Sequence, residues 1–141
     1  MKRIIPIGLA ILCSTLFASA QSKKENFDFG WKFCESDVPD ASAISFNDAG
    51  WQEVVLPHDW DIYHAPALDG ATGNDGGYYP GGIGWYRKTF SLPLADSETL
   101  DAFLARKEIS LQFDGIFRNA QVWVNGFLVA QEPSGYASQD Y

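Results

Sequence analysis

Apolar residues recur at every second position in several short runs of this chain. Phe27, Phe29, Trp31 and Phe33 are each separated by one residue. Successive strand side chains point to opposite faces, so these four predict a half-buried β-strand. Trp51 to Leu56 is a second β-rich run, stopped by Pro57, which cannot donate to a ladder. Trp85 to Leu92 predicts a third, with Tyr86, Phe90 and Leu92 on one face and Lys88 as the exception among them. Ile109, Leu111 and Phe113 alternate with Ser110 and Gln112 and predict a fourth. Ala120 to Val124 and Phe127 to Gln131 flank Asn125-Gly126. Asn-Gly tolerates the positive φ angles of a type I′ turn, so these two runs predict a hairpin.

A helix is predicted after Ser97, its expected cap, with Leu100, Phe103 and Leu104 on one face. It reads as an insertion between strands. Six predicted strands and their turn chemistry make the fold class all-β, an antiparallel β-sandwich. The segment from Asp61 to Gly84 has no strand or helix period. It holds seven glycines and two prolines, and loops of this length inside domains are functional or disordered.

The N-terminus changes the domain picture. Lys2 and Arg3 precede a mostly apolar run from Ile4 to Phe17, followed by Ala18-Ser19-Ala20. That order predicts a secretory signal peptide over 1–20. The apolar run is shorter than the ~20 residues of a membrane span. Residues 21–26 form a polar leader and 27–141 one domain. Export to the periplasm or the extracellular space is expected, with no membrane attachment after the signal is removed.

Charge narrows the partners. Losing Lys2 and Arg3 takes the formal net charge from −8 to −10. Such a chain repels phosphate, which argues against nucleic acid and anionic membrane surfaces, whereas neutral sugars remain compatible. Cys13 leaves with the signal, so Cys34 has no internal disulfide partner and reads as a buried, inert thiol.

Candidate chemistry gathers at the long loop. Trp60, Tyr78, Tyr79 and Trp85 crowd its ends, and His58, Asp59, His64, Asp69, Asn74 and Asp75 supply polar groups. Aromatic faces beside short polar side chains suit a sugar. Against this stand structural readings: His58 and Asp59 as braces, Tyr78 and Tyr79 as loop anchors, and Arg87 and Lys88 as a solvated face or internal salt bridge. Trp31, Trp51 and Trp123 read as core. Other chemistries lack their parts. Asp69 to Asp75 has neither the alternating ligands nor the closing glutamate of a calcium loop. Two histidines and one mature cysteine do not make a zinc site. Gly81-Gly82-Ile83-Gly84 leads into a strand rather than a phosphate-binding helix. No cofactor and no metal are implied.

Three motifs carry a family resemblance: Leu56-Pro57-His58-Asp59-Trp60, Gly81-Gly82-Ile83-Gly84-Trp85-Tyr86-Arg87-Lys88 and Val122-Trp123-Val124-Asn125-Gly126. In this order the chain resembles the N-terminal sugar-binding domain of family 2 glycoside hydrolases, which include β-galactosidases and β-glucuronidases. The resemblance covers about Phe27 to Tyr141. It implies a galactose-binding-like jelly roll. Such a fold uses eight strands, so the six predicted here suggest a truncated domain. It also implies that the long loop approaches a sugar site formed mainly by a separate catalytic barrel. Asn74 and Asp75, shortly before Tyr79-Pro80, match the loop's sugar-contacting position, and Asp59 and Tyr79 complete the candidate substrate-binding set. The family's acid/base glutamate follows an asparagine, and no Asn-Glu pair occurs in this chain. A barrel also needs at least ~200 residues. No catalytic residue is assigned. The reading is a domain of an exported β-galactosidase-like enzyme acting on a terminal β-linked sugar and packing on a missing barrel. A free-standing carbohydrate-binding module and a purely structural sandwich are the alternatives.

Mass spectrometry of the exported protein should find Gln21, in open or cyclised form, at the N-terminus. An intact Met1 in exported material would overturn the signal-peptide assignment.

Overall fold

In a computed structural model that describes residues 22–141, the chain forms seven short strands and one α-helix. The expected signal peptide over 1–20 lies outside the described residues. The strands are β1 (Trp31–Cys34), β2 (Gln52–Val54), β3 (Trp85–Arg87), β4 (Gln112–Phe113), β5 (Ala120–Val124), β6 (Phe127–Glu132) and β7 (Gln139–Asp140), and α1 (Leu100–Leu104) falls between β3 and β4. All pairings are antiparallel. They make a three-stranded sheet in the order β2-β1-β3 and two ribbons, β4-β7 and β5-β6.

The β5-β6 hairpin follows its sequence signal. Asn125 and Gly126 take φ of 50° and 83°, the left-handed values a type I′ turn requires. Val124 pairs with Phe127, and a register shift falls at Val122/Trp123.

Elsewhere the strands are shorter than the alternation predicts. The run from Phe27 to Phe33 does not form one strand. Gly30 adopts φ 72°, which rotates the chain before β1 and turns Phe29 into solvent at 64% exposure. Only Phe33 of the four is buried. Its partner strand is cut short by the same bend. Lys32 pairs with Arg87 and Cys34 with Trp85, so β1 offers no extended backbone opposite Thr89 and Phe90. Those residues and Leu92 leave the sheet.

Lys88, the exception on that face, has a structural use. Its Nζ donates to the carbonyls of Phe27 at 2.8 Å and Phe29 at 2.6 Å and lies 3.8 Å from the Phe27 ring centroid. Partial burial of the ammonium lowers its pKa. The polar residue therefore ties the segment before β1 to the end of β3.

Two further expectations are corrected. The helix cap is Thr99, whose side chain accepts from the Ala102 N–H at 3.2 Å. Ser97 instead has φ 65°, outside the extended geometry of an N-cap residue. Only Phe103 of the predicted apolar face is buried. A seventh strand, β7, pairs Gln112 with Asp140 and Phe113 with Gln139. At two residues it is too short to leave an alternation in the sequence.

The buried apolar side chains among the described residues are Phe33, Ala41, Val54 and Phe103. The tryptophans expected in the core are half-buried: Trp51 packs on Phe46 with ring centroids 5.4 Å apart, and Trp31 meets Phe27 edge-on at 5.7 Å. Cys34 is half-buried and free. No helix of the described residues is long and apolar enough to cross a membrane.

Asp48 joins β1 and β3 from one side. Lys32 Nζ donates to its Oδ1 at 2.6 Å and Arg87 Nε to its Oδ2 at 3.2 Å. Arg87 Nη1 also reaches the carbonyls of Ala41 and Ala43. Arg87 thus forms an internal salt bridge, one of the structural roles weighed for it. The hydrogen bond from Lys32 holds the Asp48 carboxyl below its usual range, Arg87 adds to this, and burial opposes it. A carboxylate whose folded pKa is depressed stabilises the fold above its unfolded pKa, and the contribution is lost as pH falls through the folded value. Asp48→Asn should therefore lower the melting temperature at pH 7. The gap to the wild type should close as pH falls below about 4. Thermal scans of both proteins across that range check this, and a gap that persists at low pH would refute it.

Candidate functional site

Phe33 sits where the long loop begins and ends. Its ring centroid lies 4.9 Å from that of His58, 6.1 Å from that of Trp60 and 4.8 Å from that of Tyr86. A Cβ on Gly84 would stand 2.8 Å from the Phe33 ring, so a glycine is needed where the returning chain crosses it. His58 Nδ1 and the Tyr86 hydroxyl share a hydrogen bond of 2.8 Å. Burial, with a smaller contribution from the Asp59 carboxylate, raises the Tyr86 pKa to about 12. The phenol therefore stays neutral and holds the loop's entry to its exit.

The loop itself is a hydrogen-bonded unit with two single-turn 3-10 helices, Asp61–Tyr63 and Asn74–Gly76. At its root, Asp59 Oδ1 accepts from Asp61 N at 3.2 Å, and Asp61 Oδ1 accepts from Gly81 N at 3.1 Å. Ala67 N donates to Tyr78 O at 3.0 Å and Thr72 N to Tyr79 O at 3.2 Å, joining the outgoing and returning limbs. A Cβ on Gly70 would fall 1.9 Å from the Tyr78 carbonyl oxygen. The limbs pass too closely there for any other residue.

The candidate residues take distinct places on this unit. Asn74 and Asp75 are exposed on the second 3-10 turn. Neither side chain forms a hydrogen bond to another described residue, whereas Asp59, Asp61 and Thr72 are all bonded to backbone. Tyr79 is half-buried, and its ring would lie 3.3 Å from a Cβ on Gly77, at the end of the same turn. Asp59 is exposed at the root, with one carboxylate oxygen committed to Asp61. His64 leaves the loop to face Glu35, with Nε2 and Oε1 2.8 Å apart. The pair is close but lacks the alignment of a hydrogen bond.

A shallow cleft of about 320 Å³ opens between the limbs, with Ala65, Ala67, Asp69, Gly70, Tyr78 and Pro80 in its walls. Asp69 is its one charged side chain, and Asn74 and Asp75 do not line it. Ligand sites are concave with a small number of placed polar groups; the cleft holds one charged group, Asp69, and the exposed turn carries Asn74 and Asp75 beside it. Among the described residues, no group of three or more His, Cys, Asp or Glu is placed to hold a metal ion.

Thr72 and Asp61 were not singled out as site residues by sequence reasoning. Thr and Asp in glycine-rich segments commonly hydrogen-bond nearby backbone, but Tyr79 and Gly81 lie 7 and 20 residues on, on the returning limb, and no local pattern names them as partners.

No family model matches the chain. Among its relatives, a protein named putative β-glucuronidase of Formosa agariphila is 38% identical over 94% of this chain. The β-galactosidase BoGH2A of Bacteroides ovatus is 36% identical over 92% of it. The chain spans 12% and 14% of the lengths of these two proteins. The solved structure of a glycosyl hydrolase family 2 member from Bacteroides cellulosilyticus superposes with a TM-score of 0.70 at 36% identity, over 82% of this chain and 15% of that one. The match covers strands, loop and hairpin together, over a domain-sized part of much longer proteins. The chain accordingly belongs to family 2 of the glycoside hydrolases and corresponds to their N-terminal jelly-roll domain.

Proposed function

We propose that this chain is the sugar-contacting N-terminal domain of an exported, retaining β-glycosidase. The reaction proposed for the whole protein is hydrolysis of a terminal, non-reducing β-linked sugar. The observation that carries this reading is the match of over nine-tenths of the chain to relatives named β-glucuronidase and β-galactosidase. Retaining hydrolysis needs two carboxyl groups about 5 Å apart, one acting as acid and one as nucleophile. In this proposal both come from residues outside this chain, and the domain contributes binding and orientation. A galactose-binding-like jelly roll and export through the 1–20 leader are part of the same reading.

The loop suits that role. Asn74 and Asp75 are solvent-facing and uncommitted, on a turn whose backbone is held from both sides. An amide and a carboxylate together donate to and accept from sugar hydroxyls, and the Tyr79 ring at the same turn offers a face for sugar C–H groups. Exposed apolar side chains elsewhere, among them Phe127 at 75% and Tyr136 at 87% exposure, fit a domain that packs against further parts of its protein.

Asn74→Ala and Asp75→Ala in the full-length enzyme test this reading. Losing one hydrogen bond to a sugar is worth about 0.5–1.5 kcal/mol, so kcat/KM should fall by about two- to tenfold in each variant. The melting temperature should stay near that of the wild type, as for exposed substitutions. Unchanged kinetics in both variants would show that the loop serves folding alone.

A further inference from the structure

The exposed turn at Asn74–Gly76 is too short to hold its own shape. A single 3-10 turn fixes few backbone groups, and its flanks, Gly73 and Gly77, have φ of 62° and 71°. Glycines there allow the geometry but do not enforce it. Backbone bonds from Gly77 N to Asn74 O and from Tyr78 N to Gly73 O close the turn, and the side-chain contacts that tie it to the returning limb converge on one residue.

Thr72 is that residue. Its N–H donates to Tyr79 O and its carbonyl accepts from Gly76 N at 3.3 Å. Its hydroxyl lies between two carbonyl oxygens, 3.0 Å from that of Gly76 and 2.8 Å from that of Tyr79. One hydroxyl proton serves both, so the group bridges the end of the turn to the returning limb. The methyl group completes the fit: Cγ2 would be 3.1 Å from a Cβ on Gly81. A Cβ on Gly76 would fall 2.3 Å from Thr72 Cβ, so the turn is closed down onto this side chain. Asp61, by its bond to Gly81, anchors the limb on which Thr72 bears.

We propose that Thr72 is a positioning residue for sugar binding. Its hydroxyl holds the Asn74–Gly76 turn in the orientation that presents Asn74 and Asp75 to the substrate, without touching the sugar itself. This rests on the loop reading given above. Without the hydroxyl, the Gly76 carbonyl loses its side-chain partner and the turn samples other orientations. Substrate and transition state then lose the same contacts, so KM rises while kcat is nearly unchanged.

The test uses three variants of the full-length enzyme. Thr72→Val keeps the shape and removes the hydroxyl, Thr72→Ser keeps the hydroxyl, and Asn74→Ala reports on the sugar contact directly. Amide hydrogen exchange over 70–81 reads the loop, and hydrolysis of 4-nitrophenyl β-D-galactoside and β-D-glucuronide reads KM and kcat. Thr72→Val should speed exchange in 70–81 and leave β1 to β3 unchanged. It should raise KM for the accepted glycoside about two- to tenfold. Thr72→Ser should restore both towards wild type. Wild-type exchange in Thr72→Val would overturn the proposal, as would Thr72→Ser being as impaired as Thr72→Val, which would assign the effect to methyl packing. A raised KM in Asn74→Ala with an unchanged KM in Thr72→Val overturns the positioning role alone. Unchanged KM in Asn74→Ala as well as in Thr72→Val defeats the loop reading and the positioning role with it.

Discussion

The Phe33 ring is the contact on which the arrangement of this domain depends. It stands on the central strand of the three-stranded sheet and is among the few side chains buried in the described residues. Full burial of such a side chain is worth about 1.5–3 kcal/mol, and each well-placed aromatic pair adds about 0.5–1.5 kcal/mol. His58 and Trp60 press on it from the loop's entry, Tyr86 and the backbone of Gly84 from its exit. A loop of this length would otherwise have free ends. Fixing both on one ring turns a glycine-rich segment into a feature with a defined base.

From that base outward, hydrogen bonds replace apolar contact as the ordering force. Asp59 holds Asp61, Asp61 holds Gly81, and Thr72 holds Gly76 and Tyr79. Each of these side chains is short and loses little rotamer freedom on bonding, and two of them, Asp61 and Thr72, reach across to the returning limb. Asn74 and Asp75, exposed at the tip, are among the polar groups that remain uncommitted. This division between bracing and presented groups is what a binding loop requires, because preorganisation lowers the entropy lost when a ligand is bound.

Charged residues play the same bracing part on the sheet. Lys32, Asp48 and Arg87 link β1, β3 and the segment around Ala41, and Lys88 holds the carbonyls of Phe27 and Phe29. A small apolar core is thereby supplemented by charge-assisted bonds at its edges, which are individually stronger than neutral ones. The β5-β6 hairpin contrasts with this. Phe127, Leu128 and Val129 are all exposed on β6, so that ribbon is held by its turn and ladder more than by burial.

Features that rest on local chemistry were legible before folding. Asn125-Gly126 specified the hairpin because the turn conformation is intrinsic to those two residues. Alternating apolar positions specified an antiparallel all-β chain, and glycine density marked 61–84 as a loop. The three motifs carried the family, and with it the placing of Asn74 and Asp75 as candidates. The tertiary structure alone decided what depended on partners distant in sequence. Alternation in Phe27 to Phe33 could not reveal that Gly30 would take a left-handed φ and expel Phe29. Lys88 looked out of place until the carbonyls of Phe27 and Phe29 arrived beside it. β7 is defined only by its ladder to β4. Thr72 was one threonine among glycines until folding brought Gly76, Tyr79 and Gly81 around it. Short-range propensity is written in neighbouring residues, whereas the meeting of residues from separate limbs is set by packing and hydrogen-bond satisfaction over the whole chain.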